Sequence, residues 1–143
     1  MLPKGSISRV HEYYFTTPEY NAAVMRAMRE FFGRPDLERG GSLALNEKSE
    51  GFFNEWFLYD FVLRNNRSVL EDYIAANPHQ LGEEDLELYK NLLDNTYGIF
   101  EVRKLNRGKG MAIKDTQTGK EWFVQEYAAT FELEKDSIFF GRV

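Results

Sequence analysis

The hydrophobic period of this chain changes once, near Asn95, and that change constrains the fold more than any motif does. Before it, apolar residues recur three to four apart, the spacing of helices with one buried face. After it they alternate at a period of two, with turn residues at intervals of about ten, the pattern of short antiparallel strands. The expected fold class is α+β: N-terminal helices followed by a five-stranded antiparallel meander or small β-barrel. Residues 1–95 form the helical region and 96–143 the β module, expected to pack as one unit. A chain of 143 residues lies in the range of one domain and buries enough surface for a core without staples.

In the helical region, Thr16-Thr17-Pro18-Glu19 predicts a capped helix start with proline in the first turn. Ala22, Met25, Ala27, Met28, Phe31 and Phe32 follow at helical spacing, and Gly33 suits the C-terminal cap. Residues Asp36 to Leu45 have no period and read as a connecting loop. A second helix is predicted from about Ser49 to Leu63, where Phe52, Phe53, Trp56, Phe57 and Phe61 form a wide aromatic face. Trp56 and Phe57 are its candidates for core or for protein contact. A turn at Asn65-Asn66 leads to a short helix from Ser68 to Ala76, with Leu70, Tyr73 and Ile74 inward, and another follows from Glu83 to Asp94, acidic in its first turn.

In the β module, Phe100, Val102 and Leu105 belong to one strand and Met111 to Lys114 to the next, joined by Asn106-Arg107-Gly108-Lys109-Gly110. After the turn Asp115 to Gly119, strands are predicted at Glu121–Gln125, Thr130–Leu133 and Ile138–Val143. The last runs to the end of the sequence, as expected of a piece of a longer polypeptide.

Composition removes whole classes of chemistry. Without cysteine there is no disulfide, thiolate nucleophile, iron–sulfur cluster or cysteine-based zinc site. No run approaches the roughly 18 apolar residues of a membrane span, and the first residues lack a signal-peptide core. The expectation is a cytoplasmic protein with no membrane partner. The net charge of −5 disfavours phosphate backbones and anionic lipid overall. Between Arg103 and Lys120, however, six bases face one acid, Asp115, so this stretch carries +5 and the rest −10.

Candidate sites can be weighed one by one. Glu55 lies on the aromatic helix with Asp60 about 140° further round, and with Glu50 they could hold a metal for hydrolysis if they converged in one pocket. The simpler reading is that Glu55 caps or salt-links a neighbouring element and Asp60 satisfies a helix end or turn. His11 and His79 each lack a partner at i+3 or i+4, and Ser42, Ser49, Ser68 and Ser137 lack a nucleophile setting. Gly108-Lys109-Gly110 has the wrong spacing for a phosphate loop and reads as a β-turn. No catalytic residue, metal site or cofactor is assigned. The basic stretch is the most informative: Arg103, Lys104, Arg107, Lys109, Lys114 and Lys120 accompany Trp122 and Tyr127 on a candidate small barrel, the combination that binds single-stranded nucleic acid. Alternation lets only one of Trp122 and Phe123 face outward. The simpler reading of these charges is a solvated sheet edge.

Two groups of residues carry a resemblance: Phe53-Asn54-Glu55-Trp56-Phe57-Leu58-Tyr59-Asp60 with Leu70-Glu71-Asp72-Tyr73, and Tyr97-Gly98-Ile99-Phe100-Glu101-Val102 with Lys114-Asp115-Thr116-Gln117-Thr118-Gly119-Lys120. Over Gly51 to Val143 the chain resembles an uncharacterised group of bacterial proteins in which a helical segment precedes a small β module. Some longer members carry a SEC-C type zinc motif, which needs cysteines absent here. The resemblance implies a fold and no mechanism. The functional expectation is a non-enzymatic protein-interaction module. Its alternatives are a nucleic-acid-binding accessory protein using the basic hairpin and a metal-dependent hydrolase using Glu50, Glu55 and Asp60.

Overall fold

The computed structural model describes residues 2–33 and 46–143. The loop expected at Asp36 to Leu45 lies outside these residues. The chain divides into two compact units, Met1–Leu93 and Asp94–Val143, close to the boundary at which the hydrophobic period changes.

The first unit is helical. Its first helix, α1 (Ser6–Thr16), has no counterpart in the sequence reading, because it opens on Gly5 in the left-handed region with no side-chain cap to announce it. Ser6 donates its hydroxyl to the Pro3 carbonyl instead, at 2.7 Å. The threonines expected to start a helix serve the end of α1: Thr16 Oγ1 donates to the Glu12 carbonyl, and the Thr17 side chain makes no cap. A single 3₁₀ turn, Pro18–Tyr20, then leads into α2 (Asn21–Phe32), which closes on Gly33 at φ 63° as its position predicts.

Helix α3 (Glu47–Tyr59) starts at Asn46, whose side chain accepts the Ser49 N–H, and it ends four residues earlier than the aromatic run implies. Helix α4 (Val69–Ala76) begins with a complete capping box. Ser68 N–H donates to Glu71 Oε2 at 2.7 Å, and Glu71 N–H donates to Ser68 Oγ at 3.2 Å. Helix α5 (Glu83–Asn91) places Glu83, Glu84 and Asp85 at its positive end.

Aromatic side chains fill the centre of this unit. Phe53, Phe57 and Phe61 stack in succession, with ring centroids 5.7 and 5.6 Å apart, and Phe15 lies against Phe53 and Phe57. Among the described residues of this unit one carboxylate is buried. Asp72 accepts hydrogen bonds from the Tyr14 hydroxyl at 2.6 Å, the Tyr20 hydroxyl at 3.3 Å and Asn65 Nδ2 at 2.8 Å, so both of its oxygens are occupied. Burial, and then the bond to Asp72, push the Tyr14 hydroxyl far above its ordinary pKa. Tyr14 therefore acts as a fixed donor at every physiological pH. Across the same core, the Tyr89 hydroxyl ties α5 to the start of α1 by donating to the Ser6 carbonyl at 3.0 Å.

The second unit is an open antiparallel sheet of four strands, β1 (Tyr97–Asn106), β2 (Gly110–Asp115), β3 (Glu121–Val124) and β4 (Ile138–Arg142), in the order β3-β2-β1-β4. This corrects the expected five-stranded meander or small barrel. Residues Thr130–Leu133 are not a strand: Ala129–Glu132 form a short helix, α6. Alternation over four residues cannot separate the two periods, and local hydrogen bonds decide the matter. Glu126 Oε1 accepts the Ala129 N–H, while Thr130 Oγ1 donates to the Tyr127 carbonyl and accepts the Gly108 N–H. Ala129 and Leu133, four residues apart, then both rest on the sheet's buried face.

That face carries Phe100, Val102, Met111 and Ile113, with Trp122, Val124 and Phe139 packed against them. In the β1–β2 turn, Gly108 takes φ 72°, as read from the sequence, and a Cβ on Gly110 would overlap the Val124 carbonyl oxygen.

Candidate interaction surface

Strand alternation determines what the other face of the sheet presents. Directly opposed residues point the same way, so the register places Tyr97 beside Arg142, Ile99 beside Phe140 and Glu101 beside Ile138 on β1 and β4. Across the other strands it places Lys104, Ala112 and Phe123 in one row and Glu101, Lys114 and Glu121 in the next. Arg103 is the extra residue of a bulge between Val102 and Lys104, and without it Lys104 would point inward.

The outer face is therefore apolar at two corners and charged between them. Tyr97, Phe123, Ile138 and Phe140 are respectively 62, 61, 64 and 72% exposed. Single exposed apolar residues are ordinary, but three of these four share the β1–β4 half together with Ile99. The Arg142 guanidinium lies 5.3 Å from the Tyr97 ring centroid, within cation–π range, and donates a hydrogen bond to Asn95 Oδ1 at 2.6 Å.

The six basic residues singled out in the sequence do not gather into one patch. Arg107 and Lys109 occupy the β1–β2 turn, and Lys120 belongs to the β2–β3 turn at the opposite end of β2. Lys114 stands between two opposed glutamates, Glu101 and Glu121. Arg103 makes an exposed ion pair with Glu101 at 3.0 Å, a contact of small energetic worth. Lys120 Nζ sits 4.7 Å over the Trp122 ring. Trp122 itself turns inward, edge-on to Phe100, so the outward position of the adjacent pair belongs to Phe123. Tyr127 is exposed and packs on Phe131, with ring centroids 5.2 Å apart. The whole unit, residues 94–143, has eight basic and eight acidic residues, and the local excess of charge is cancelled within it.

The other candidates fall in the helical unit. Phe57 is fully buried and Trp56 packs between Phe31 and Phe61, which puts both in the core. Glu50 and Asp60 are exposed on α3 ten residues apart, about 15 Å along a helix axis, with Glu55 between them. Among the described residues, no group of three or more histidine or carboxylate side chains could hold a metal ion. His11 Nε2 donates to the Asn54 carbonyl at 2.9 Å, joining α1 to α3, and burial lowers its pKa. His79 Nδ1 lies 2.9 Å from the Tyr73 hydroxyl, whose pKa burial pushes up to about 12. No helix among the described residues is long and apolar enough to cross a membrane.

Sequence reasoning missed Tyr97, Ile99, Ile138 and Phe140 as surface residues. The signal was present in Phe139-Phe140, since adjacent strand residues must part to opposite faces. Compared with protein-family models, curated proteins and solved structures, the chain matches none.

Proposed function

We propose that this chain is a non-enzymatic protein-interaction module that receives an amphipathic helix of a partner protein on the outer face of its sheet. The observation that carries the reading is the exposure of Tyr97, Ile138 and Phe140 together on β1 and β4. A sheet with apolar residues on both faces is stable in water when each face is covered, and helices are the usual cover in α+β folds. The charged row Glu101, Lys114, Glu121 beside this patch suits a helix with both signs flanking its apolar stripe. The order of the units is also that of the bacterial group the sequence resembles, and a chain without cysteine suits the reducing cytoplasm.

The test places a photo-crosslinking residue at position 140 and, as a control, at exposed Glu84 in α5, in cells expressing the chain. A protein captured at 140 and not at 84 is then purified and titrated. Phe140→Lys should weaken its binding at least about tenfold with the melting curve unchanged, a loss within the range of interface anchors. Unchanged affinity, or capture that does not distinguish the two positions, rejects the proposal.

A second reading, single-stranded nucleic acid on the same sheet, draws on Tyr97 beneath Arg142 and on Phe123 in register with Lys104 through Ala112. The neutral charge of the unit ranks it below the first. Fluorescence polarisation of labelled RNA and DNA at low and near-physiological salt separates the two, because only phosphate contacts produce binding that falls steeply with salt.

A further inference from the structure

The helical unit is acidic, with ten basic residues against fifteen acidic ones, yet three of its arginines border a single open cleft of about 750 Å³. Arg26 and Arg29 stand one turn apart on α2, and Arg64 comes from the opposite wall, in the segment between α3 and α4. Arg26 is held in place: its guanidinium donates to the Val62 carbonyl at 2.7 Å and lies 4.7 Å from the centroid of the Phe61 ring. Its other N–H groups remain to bind a ligand, since a guanidinium carries five donors.

Among the described residues two carboxylates share the lining with the three arginines: Glu19, exposed, and Asp72, buried, which does not pair with them. Both oxygens of Asp72 accept from Tyr14, Tyr20 and Asn65 instead. Tyr20 and Asn65 line the cleft with Asp72, so its polar floor is assembled before any ligand arrives. Ala23, Met25 and Leu63 supply an apolar part of the wall. The volume falls in the range of small-molecule sites, roughly 300–1,000 Å³. Arginine is the side chain whose planar fork matches carboxylate and phosphate oxygens bidentately.

We propose that this cleft binds a small organic oxyanion, a phosphate or carboxylate group carried on a compact apolar body. The anionic group sits against Arg26 and Arg64 from opposite walls, with Arg29 adding its charge one turn along α2, and the apolar body rests on Met25 and Leu63. The site is built wholly from the helical unit and does not depend on the sheet's outer face.

The test uses the full chain, isotope-labelled for NMR and titrated at constant ionic strength with inorganic phosphate, phenyl phosphate and benzoate. The expected result is saturable shifts of arginine Nε–H signals and of α2 amides, with one of the two aromatic probes binding at least about tenfold more tightly than inorganic phosphate. Which aromatic probe prevails tells phosphate from carboxylate. Arg64→Gln, at an exposed position, should weaken binding at least about fivefold with the rest of the spectrum unchanged, and Arg29→Glu should abolish it. Shifts that do not saturate, that sodium chloride reproduces, or that survive both substitutions in folded protein overturn the proposal.

Discussion

Of the fourteen aromatic residues in the helical unit only Phe52 is exposed, whereas five of the eight in the sheet unit are: Tyr97, Phe123, Tyr127, Phe131 and Phe140. The cause is geometric. A helix can gather its large apolar residues onto one stripe, and α3 does so with Phe53 and Phe57 at i and i+4. A strand sends consecutive residues to opposite faces, so Trp122-Phe123 and Phe139-Phe140 each yield one inward and one outward ring. Aromatic content therefore signals a core in the first unit and a core plus an exposed apolar face in the second. A run of aromatics in sequence carries functional information only once its period is known.

The sharpest test of that contrast is a matched pair of truncations followed by urea denaturation. Phe57→Ala should cost about 3–5 kcal/mol, the range for emptying a buried aromatic site, with Phe140→Ala within about 0.5 kcal/mol of wild type. A large cost for Phe140→Ala in the isolated chain would break the comparison, because its ring would then be part of the fold. A smaller effect probes the buried carboxylate of the helical unit, Asp72. Tyr14→Phe removes the shortest bond to Asp72 and should cost about 1.5–3 kcal/mol, the range for hydrogen bonds to charged groups, measured as a shift in denaturation midpoint at unchanged slope.

The smallest effects concern acid. In the helical unit, burial lowers the His11 pKa from its ordinary 6.5, so the fold favours the neutral ring. In the sheet unit, the Thr118 and Gln117 backbone N–H groups hold the Asp115 carboxyl below its ordinary 3.8. In both cases the unfolded chain binds more protons between the two values, so stability rises with pH across that window. The His11 contribution is complete above pH 6.5 and is lost as pH falls through its lower folded value. The Asp115 contribution persists to about pH 4 and is lost only below that. Amide signals followed from pH 8 to pH 2 should show His11→Gln flattening the first loss, in the helical unit, and Asp115→Asn flattening the second, in the sheet unit. The same pH profile for both variants would contradict this assignment.

Much of this architecture could be read from local chemistry. The change of period near Asn95 marks the division between the units, Ser68 and Glu71 announce α4 by a reciprocal pair of hydrogen bonds, and Gly33 ends α2. These features were legible because each depends on residues within four positions of one another. Helix α1 was not, because Gly5 offers no capping side chain and the helix is held by distant groups, the Asn54 carbonyl on His11 and the Tyr89 hydroxyl on Ser6. The strand expected at Thr130–Leu133 became a helical turn because Thr130 found its partner at Gly108, 22 residues away.

The candidate surfaces divide in the same way. Sequence alone determined that only one of Trp122 and Phe123 could face outward, since alternation is a local property of the backbone. Which of the two it was, and that Phe140 and Ile138 join Tyr97 and Ile99 on the same face, depended on the pairing of β4 with β1 across some forty residues. The same holds for charge. Sequence counts six bases between Arg103 and Lys120, but cross-strand pairing puts Lys114 between Glu101 and Glu121, and turn geometry sends Arg107 and Lys120 to opposite ends of β2. Arg26, Arg29 and Arg64 are scattered in sequence and border one cleft only because α2 and the segment before α4 pack together. Period, caps and turns are short-range and are written along the chain, whereas faces, patches and clefts are sums over residues brought together by long-range pairing, and only the tertiary structure decides them.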